Sequence, residues 1–300
     1  MYRVMRSVTI VCRLSSRRGL EYCRRLSDEL PKRGVKIDEV HVVARRKELR
    51  ARVRQAAASG ARIVVVVGGD GTQAAAVGEL AHTKTAMAVV PAGTGNSFAF
   101  SLGIRDDFEK AVDAIVRGDE LRVDVGVVNG KCFANFATIG ITADAANRTP
   151  SGLKKIAGPV AYGLAALSAL FRDKPFELNI EWKRNKLRML THQALIASGR
   201  YFGWTPVTPD ASVRSGELAF FAVAGGKISD VVETNAALLV AEHTKLARAH
   251  YFSAPKIRIR TKPKQPINVD GHACGNTPAK FTVMRRALRV LVPPGFHDPA

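Results

Sequence analysis

Little in this chain offers disulfide or zinc chemistry. Its 300 residues include four cysteines, Cys12, Cys23, Cys132 and Cys274, with no Cys-x-x-Cys pair and no histidine at zinc-site spacing. They read as reduced thiols of a cytoplasmic protein. Long apolar runs are scarce too. No apolar stretch of about 7–15 residues follows the basic opening Met1–Arg6, so no signal peptide is expected. The longest nearly apolar run, Ile156 to Phe171, would span about 24 Å as a helix, short of a ~30 Å hydrocarbon core. It also contains Gly158, Pro159 and Gly163. The expectation is a protein peripheral to the membrane, not one that spans it. Negative charge is the scarcest feature: 26 Asp and Glu stand against 46 Lys and Arg, a net +20. That balance favours an anionic partner, whether nucleic acid, an anionic lipid surface or a polyphosphate ligand.

The positive charge is uneven. Residues 1–60 carry sixteen Lys and Arg against six Asp and Glu. A second cluster, Lys256, Arg258, Arg260, Lys262 and Lys264, recurs every two positions, so an extended strand would present all five on one face. That face is either simply solvated or a contact for an acidic lipid surface. The apolar share, 46%, suits a globular protein, and the length suits two domains.

Strand-like and helical patterns alternate through the first 121 residues. Strands are expected at Val8–Cys12, Val40–Val43, Ile63–Val67 and Ala86–Val90. Helices are expected over 19–33, Glu48–Ser59, Gln73 to about Leu80, and Phe108–Arg117. This predicts an open, mainly parallel α/β sheet, with ligands outside the carboxyl ends of its strands. From residue 122 to 300 short strands dominate: Val123–Val128, Cys132–Ala137, Phe176–Trp182, Leu187–Ile196, Leu218–Val223, Lys256–Arg260, Ala279–Val283 and Leu288–Val292. Helical insertions fall at about 152–171 and 229–245. This half reads as a mainly antiparallel β-sandwich, its last segment a candidate to pack back on the first domain.

Two loops carry the chemistry. Gly68-Gly69-Asp70-Gly71-Thr72 follows a β-branched strand and precedes a helix. Glycine permits positive φ and lets backbone N–H groups approach a phosphate. The helix N-terminus adds positive potential, and Thr72 suits a helix cap. Asp70 beside a phosphate site calls for a mediating cation, and Mg²⁺ carried by ATP fits. Gly93-Thr94-Gly95-Asn96 follows the next strand and suits a nucleotide's phosphates or ribose. Neither loop is a P-loop or a dinucleotide fingerprint.

Together these motifs resemble the diacylglycerol kinase catalytic-domain family, which includes bacterial lipid kinases and sphingosine kinases. Val123-Asp124-Val125-Gly126, Phe136–Gly140, Gly199–Gly203, Pro209-Asp210-Ala211 and Val269-Asp270-Gly271 extend the resemblance over nearly the whole chain. It implies a two-domain fold and transfer of the ATP γ-phosphoryl group to a lipid hydroxyl in the interdomain cleft. It also implies that Asp70 and Asp124 lie near the transfer site, with Asp70 positioning Mg²⁺ and Asp124 or His272 taking the proton. Arg17 and Arg18 occupy the place of a phosphate-contacting loop, and Asp144 resembles a position that faces the lipid head group.

The chain departs from the family pattern at three places. Ser97 stands where many bacterial members have Asp. Arg214-Ser215-Gly216 replaces Asp-Asp-Gly, a structural Mg²⁺ site in some members. His272 replaces the Glu of Asp-Gly-Glu. These departures keep a non-catalytic nucleotide- or lipid-binding protein open as an alternative. An NAD kinase-like phosphotransferase is another, since NAD kinases also carry Gly-Gly-Asp-Gly. The charge alone suggests nucleic acid, and no base-reading or stacking motif accompanies it.

Overall fold

The computed structural model describes residues 6–14, 17–140, 174–202, 205–206, 212–239 and 245–298. The first half alternates β1 (Ser7–Arg13), α1 (Arg17–Lys32), β2 (Lys36–Val43), α2 (Arg46–Ala58), β3 (Ile63–Gly68), α3 (Asp70–Leu80) and β4 (Ala86–Pro91). Then come the short α4 (Ser97–Ser101) and α5 (Phe108–Arg117). Strands β2, β1, β3 and β4 lie in that order and pair in parallel. Every residue of β3 and β4 is buried, as a β-branched central strand covered on both faces requires. Helices α1 and α5 contact one another, as do α2 and α3, which places one pair on each face of the sheet. The chain moves outward from β1 to β2 and back across to β3, so the topological switch point lies between the carboxyl ends of β1 and β3. Ligand crevices of open α/β sheets form there.

The second half contributes β5 (Asp119–Val128), β6 (Lys131–Phe133), β7 (Phe136–Gly140), β8 (Phe176–Trp182), β9 (Asn185–Thr191) and β10 (Gln193–Ala197). A two-stranded ribbon follows, β11 (Tyr201–Phe202) with β12 (Thr205–Pro206), then β13 (Leu218–Val223) and α6 (Ile228–Leu239). The chain ends through β14 (Ala249–Ala254), β15 (Lys256–Lys262), β16 (Pro266–Val269), β17 (His272–Asn276) and β18 (Ala279–Val292). An antiparallel sheet, β14-β13-β10-β7-β16-β17, packs on the β8, β15 and β18 part of the larger sheet. Phe220, Phe176, Ile196, Ile257 and Phe281 fill the space between, all buried, and Trp182 stacks on Phe252 with centroids 3.8 Å apart. The architecture is thus a mainly parallel α/β sheet followed by an antiparallel β-sandwich. No helix among the described residues is long and apolar enough to cross a membrane.

Several elements differ from expectation for identifiable reasons. Cys132–Ala137 is not one strand: it breaks at Ala134–Asn135, where main-chain N–H groups turn toward the Asp270 carboxylate. Leu187–Ile196 breaks at His192, because β9 belongs to one sheet of the sandwich and β10 to the other. The two strands expected at 279–283 and 288–292 are a single β18, which pairs with β4 in parallel and with β5 along most of its length. A bulge between Met284 and Leu288 interrupts its register, with Arg286 at φ 49°. Residue 121 lies within β5, which starts at Asp119. The helix expected from Gln73 starts at Asp70, with Gly69 as its N-cap.

Candidate active site

The two Gly-rich loops meet backbone to backbone. A Cβ on Gly93 would lie 2.5 Å from the Gly69 Cα, and one on Gly69 would lie 2.9 Å from the Gly93 Cα. Gly68, Gly69, Gly71 and Gly93 all lack positive φ, so at these positions glycine supplies the missing Cβ and not a left-handed conformation. Thr72 is a third helical residue, not the expected cap; its side chain fills the space a Cβ on Gly68 would take. Gly93→Ala sets atoms against main chain that cannot swing aside, and is expected to cost about 1–3 kcal/mol. Gly78→Ala, in the interior of α3 with nearest contact 3.9 Å away, should be neutral or stabilising by up to about 1 kcal/mol. Urea denaturation of the two variants checks the contrast.

Asn96 shapes the second loop. It sits in the left-handed region at φ 51°, which Asn tolerates better than most residues. Its Oδ1 accepts from Gly93 N at 3.0 Å, and its Nδ2 donates to Gly93 O and to Asp106 Oδ1, each at 3.0 Å. Arg18 donates to the same Asp106 oxygen at 2.5 Å and to the Tyr22 hydroxyl at 3.0 Å. Arg18 is therefore linked to the loop through Asp106. Arg17 is the first residue of α1. Thr94 is exposed at the loop tip and Gly95 is half-buried.

Asp70 joins these loops to the sandwich. Its Oδ1 accepts from Phe98 N at 3.2 Å, across the gap at the start of α4, and from Asn135 Nδ2 at 3.3 Å. Burial raises its pKa, while N–H groups of Phe98, Ser97 and Asn96 and the Asn135 amide pull it back. Asn135, 1% exposed, keeps its own Oδ1 buried with no hydrogen-bond partner. Unpartnered buried oxygens are uncommon and raise the question of a ligand.

Asp270 closes the cluster. Val269 pairs with His272 across the two-residue turn Asp270-Gly271, both at positive φ, the geometry of a type I′ hairpin. The Asp270 carboxylate accepts from Ala134 N at 3.0 Å, Asn135 N at 3.3 Å and Phe136 N at 3.1 Å. Burial pushes this carboxyl up to about 7; the three N–H donors oppose the rise and the Asp70 charge adds to it. The native state then holds a proton that the unfolded chain has released between about pH 4 and 7, so this group's contribution to stability falls as pH rises through that window. It amounts to up to about 4 kcal/mol. Asp270→Asn should therefore gain stability relative to wild type between pH 4.5 and 7.5, read by denaturation at both values.

The same hairpin carries His272 over the first turn of α3: its Nε2 lies 3.1 Å from where a Cβ on Gly71 would sit. Asp124 is held by main chain. Both its oxygens are occupied by main-chain donors, Gly216 N at 2.5 Å and Arg286 N at 2.7 Å, so it ties the 212–217 turn to the β18 bulge. Asp144, and the 152–171 segment expected to be helical, lie outside the described residues.

Asn135 was not singled out from the sequence, nor was a group of arginines at the switch point. Arg46 opens α2, and burial lowers its pKa first, with repulsion from Arg50 and Arg13 adding and attraction from Asp270 opposing. Cations at a helix N-terminus oppose the macrodipole. The run Arg45-Arg46-Lys47 at the start of α2 was the signal available for it.

The diacylglycerol kinase catalytic domain model matches residues 10–128, and that of the YegS C-terminal NAD kinase beta sandwich-like domain matches residues 136–292. A diacylglycerol kinase of Staphylococcus aureus (strain bovine RF122 / ET3-1) is 30% identical over 237 residues, 77% of this chain and 74% of that protein. One from Staphylococcus saprophyticus is 27% identical over 234 residues, 77% of each. The crystal structure of a diacylglycerol kinase from Bacillus anthracis str. Sterne superposes with a TM-score of 0.73 at 18% identity, over 97% of both chains. A further structure from that organism gives 0.81 at 21%, over 97% of this chain and 96% of that one. At such identities the superpositions speak for the fold alone.

Proposed function

This chain belongs to the diacylglycerol kinase catalytic-domain family, and from that premise we propose that it transfers the γ-phosphoryl group of ATP to the hydroxyl of a lipid, diacylglycerol or a sphingoid-like alcohol. The observation that carries the reading is the junction at Asp70, where the α3 N-terminus, the Gly93–Asn96 loop and Asn135 of the sandwich meet. Main-chain N–H groups at the start of α3 and at Thr94–Gly95 of the second loop bind the phosphates, aided by the N-terminal end of α3. Arg46 and Arg13, at the switch point, add positive charge for the same anion.

The oxygen donors fit Mg²⁺. Asp70 offers a carboxylate held by N–H donors of the second loop and by the Asn135 amide, and the unpartnered Asn135 Oδ1 is a second hard oxygen. Mg²⁺ bound with nucleotide needs only one or two carboxylates from the protein. When bound, the ion neutralises charge on the transferring phosphates. Asp70 holds it, Asn135 orients Asp70, and Asp270 fixes the 134–136 turn that places Asn135. His272 receives the proton of the attacking hydroxyl. Asp124, with both oxygens engaged, shapes the sandwich entry and does not act as the base. Most of the rate comes from positioning and charge.

A panel of lipid alcohols in mixed micelles with labelled ATP tests the proposal, with NAD as a further acceptor. A labelled phospholipid from one of the alcohols is expected. Label on NAD alone would favour the NAD kinase-like alternative. Nucleotide binding without product from any acceptor would leave a non-catalytic family member.

A further inference from the structure

The outer face of the sandwich holds charge that the phosphoryl-transfer reading does not use. Along β15, Lys256, Arg258, Arg260 and Lys262 are exposed and alternate with the buried Ile257 and Ile259. Lys264 falls past the strand end and outside this row. Strand register extends the row sideways. Arg258 pairs with Lys280 of β18 on one side and with Glu181 of β8 on the other, and Glu181 pairs with Lys186 of β9. The next rung runs Arg260, Asn179, Arg188, and the third runs Lys262, Glu177, Leu190.

Side chains directly across a ladder share one face. This four-strand surface therefore presents seven cations against two carboxylates. Glu177 pairs with Arg188 at 2.5 Å and Glu181 with Arg258 at 3.9 Å. Lys186, Lys256, Arg260, Lys262 and Lys280 make no ion pair among the described residues. Repulsion from Arg258 and Lys280 lowers the Lys256 pKa, as expected where cations stand at ladder spacing without counter-charge. Strands lie about 4.8 Å apart, inside the ~8 Å Debye length at physiological salt, so these charges act together.

We infer that this face, built on β9, β8, β15 and β18, is the surface by which the protein docks on an anionic lipid bilayer. The face is an open sheet, spread over about 20 Å in each direction by strand spacing and rise, and a bilayer leaflet matches that shape. Among the described residues no aromatic side chain lies at its outward positions to stack a base. At its β9 edge Leu190 is 47% exposed beside Arg188, an apolar group placed to enter the interface. The inference rests on charge and sheet geometry alone and is independent of the phosphoryl-transfer reading.

The test is sedimentation of the full chain with vesicles of phosphatidylcholine, with and without phosphatidylserine, and with no ATP or acceptor alcohol present. Each basic residue near an anionic leaflet contributes roughly a five-fold factor to partition. The triple variant Lys256→Gln/Arg260→Gln/Lys262→Gln should therefore bind phosphatidylserine vesicles on the order of 100-fold more weakly. A matched triple elsewhere on the surface, Arg52→Gln/Arg62→Gln/Lys84→Gln, should change binding by less than about three-fold, since its sites lie outside the contact. Wild-type binding should fall steeply as salt rises from about 0.05 to 0.5 M, a readout that needs no variant to fold. Equal losses in the two triples, equal binding to neutral vesicles, or no salt dependence would overturn the inference. Full displacement from vesicles by duplex DNA that binds the β15 face more tightly would do the same, and would assign the face to nucleic acid.

Discussion

Asp70→Asn should lower kcat by about 10³-fold while leaving the fold intact. The substitution is nearly isosteric, and an amide oxygen can still accept from Phe98 N, the contact that now measures 3.2 Å. What disappears is one negative charge at the point where three segments converge. On the proposed reading this carboxylate faces the phosphate-bound cation, and losing one such preorganised contact typically removes two to three orders of magnitude. The cost of holding that charge in a half-buried site disappears with it. Burial raises the Asp70 pKa, so the charged form is destabilised in the native state, and Asn should leave stability at neutral pH unchanged or improved. The change also reaches Asp270, whose pKa is raised partly by the Asp70 charge. With that charge gone, the pH-dependent fall in stability should move to lower pH. Loss of activity with loss of stability would point to a structural role, and activity within ten-fold of wild type would sink the assignment. The informative pattern is kcat falling alone, with the melting transition retained.

What the sequence disclosed, and what it hid, follows from the range of the interactions involved. The β-branched run Ile63–Val67 and the Gly-rich segments after β3 and β4 are local signals, and the parallel sheet and both loops could be read from them. The role of the glycines could not. They are needed because Gly69 and Gly93, twenty-four positions apart, touch through their Cα atoms, and nothing local announces that contact. Asn135 is similar: its importance lies in facing Asp70, sixty-five residues away in sequence. Other features do carry local signals. Asp270-Gly271 between Val269 and His272 is a hairpin signature, and it determines which way His272 points. The break between β9 and β10 at His192 separates strands of different sheets, which a continuous apolar pattern cannot reveal. The motif points to Asp124 as a site residue but does not show that main-chain donors from Gly216 and Arg286 occupy both its oxygens.

The hairpin leads to the second large effect. His272→Ala is expected to lower kcat about 10²-fold or more and to remove the acid limb of the pH–rate profile. The turn at Asp270-Gly271 starts β17 with His272. Three N–H bonds from the 134–136 turn to Asp270 anchor that hairpin in the site. Gly71 has no side chain to block the ring, whose Nε2 would otherwise meet a Cβ at 3.1 Å. The imidazole is thus held by main-chain geometry over the first turn of α3, where an attacking hydroxyl would approach phosphate bound at the helix N-terminus. A neutral imidazole can take the hydroxyl proton, but it brings no negative charge toward a cation. That load falls on Asp70, which is why Asp70→Asn is expected to be the more damaging change. His272→Glu should then keep turnover, because a carboxylate can take the same proton. A general base makes both statements true at once. A side chain that merely packed against Gly71 would leave the profile of His272→Ala unmoved and kcat within about three-fold of wild type, and that result would end the assignment.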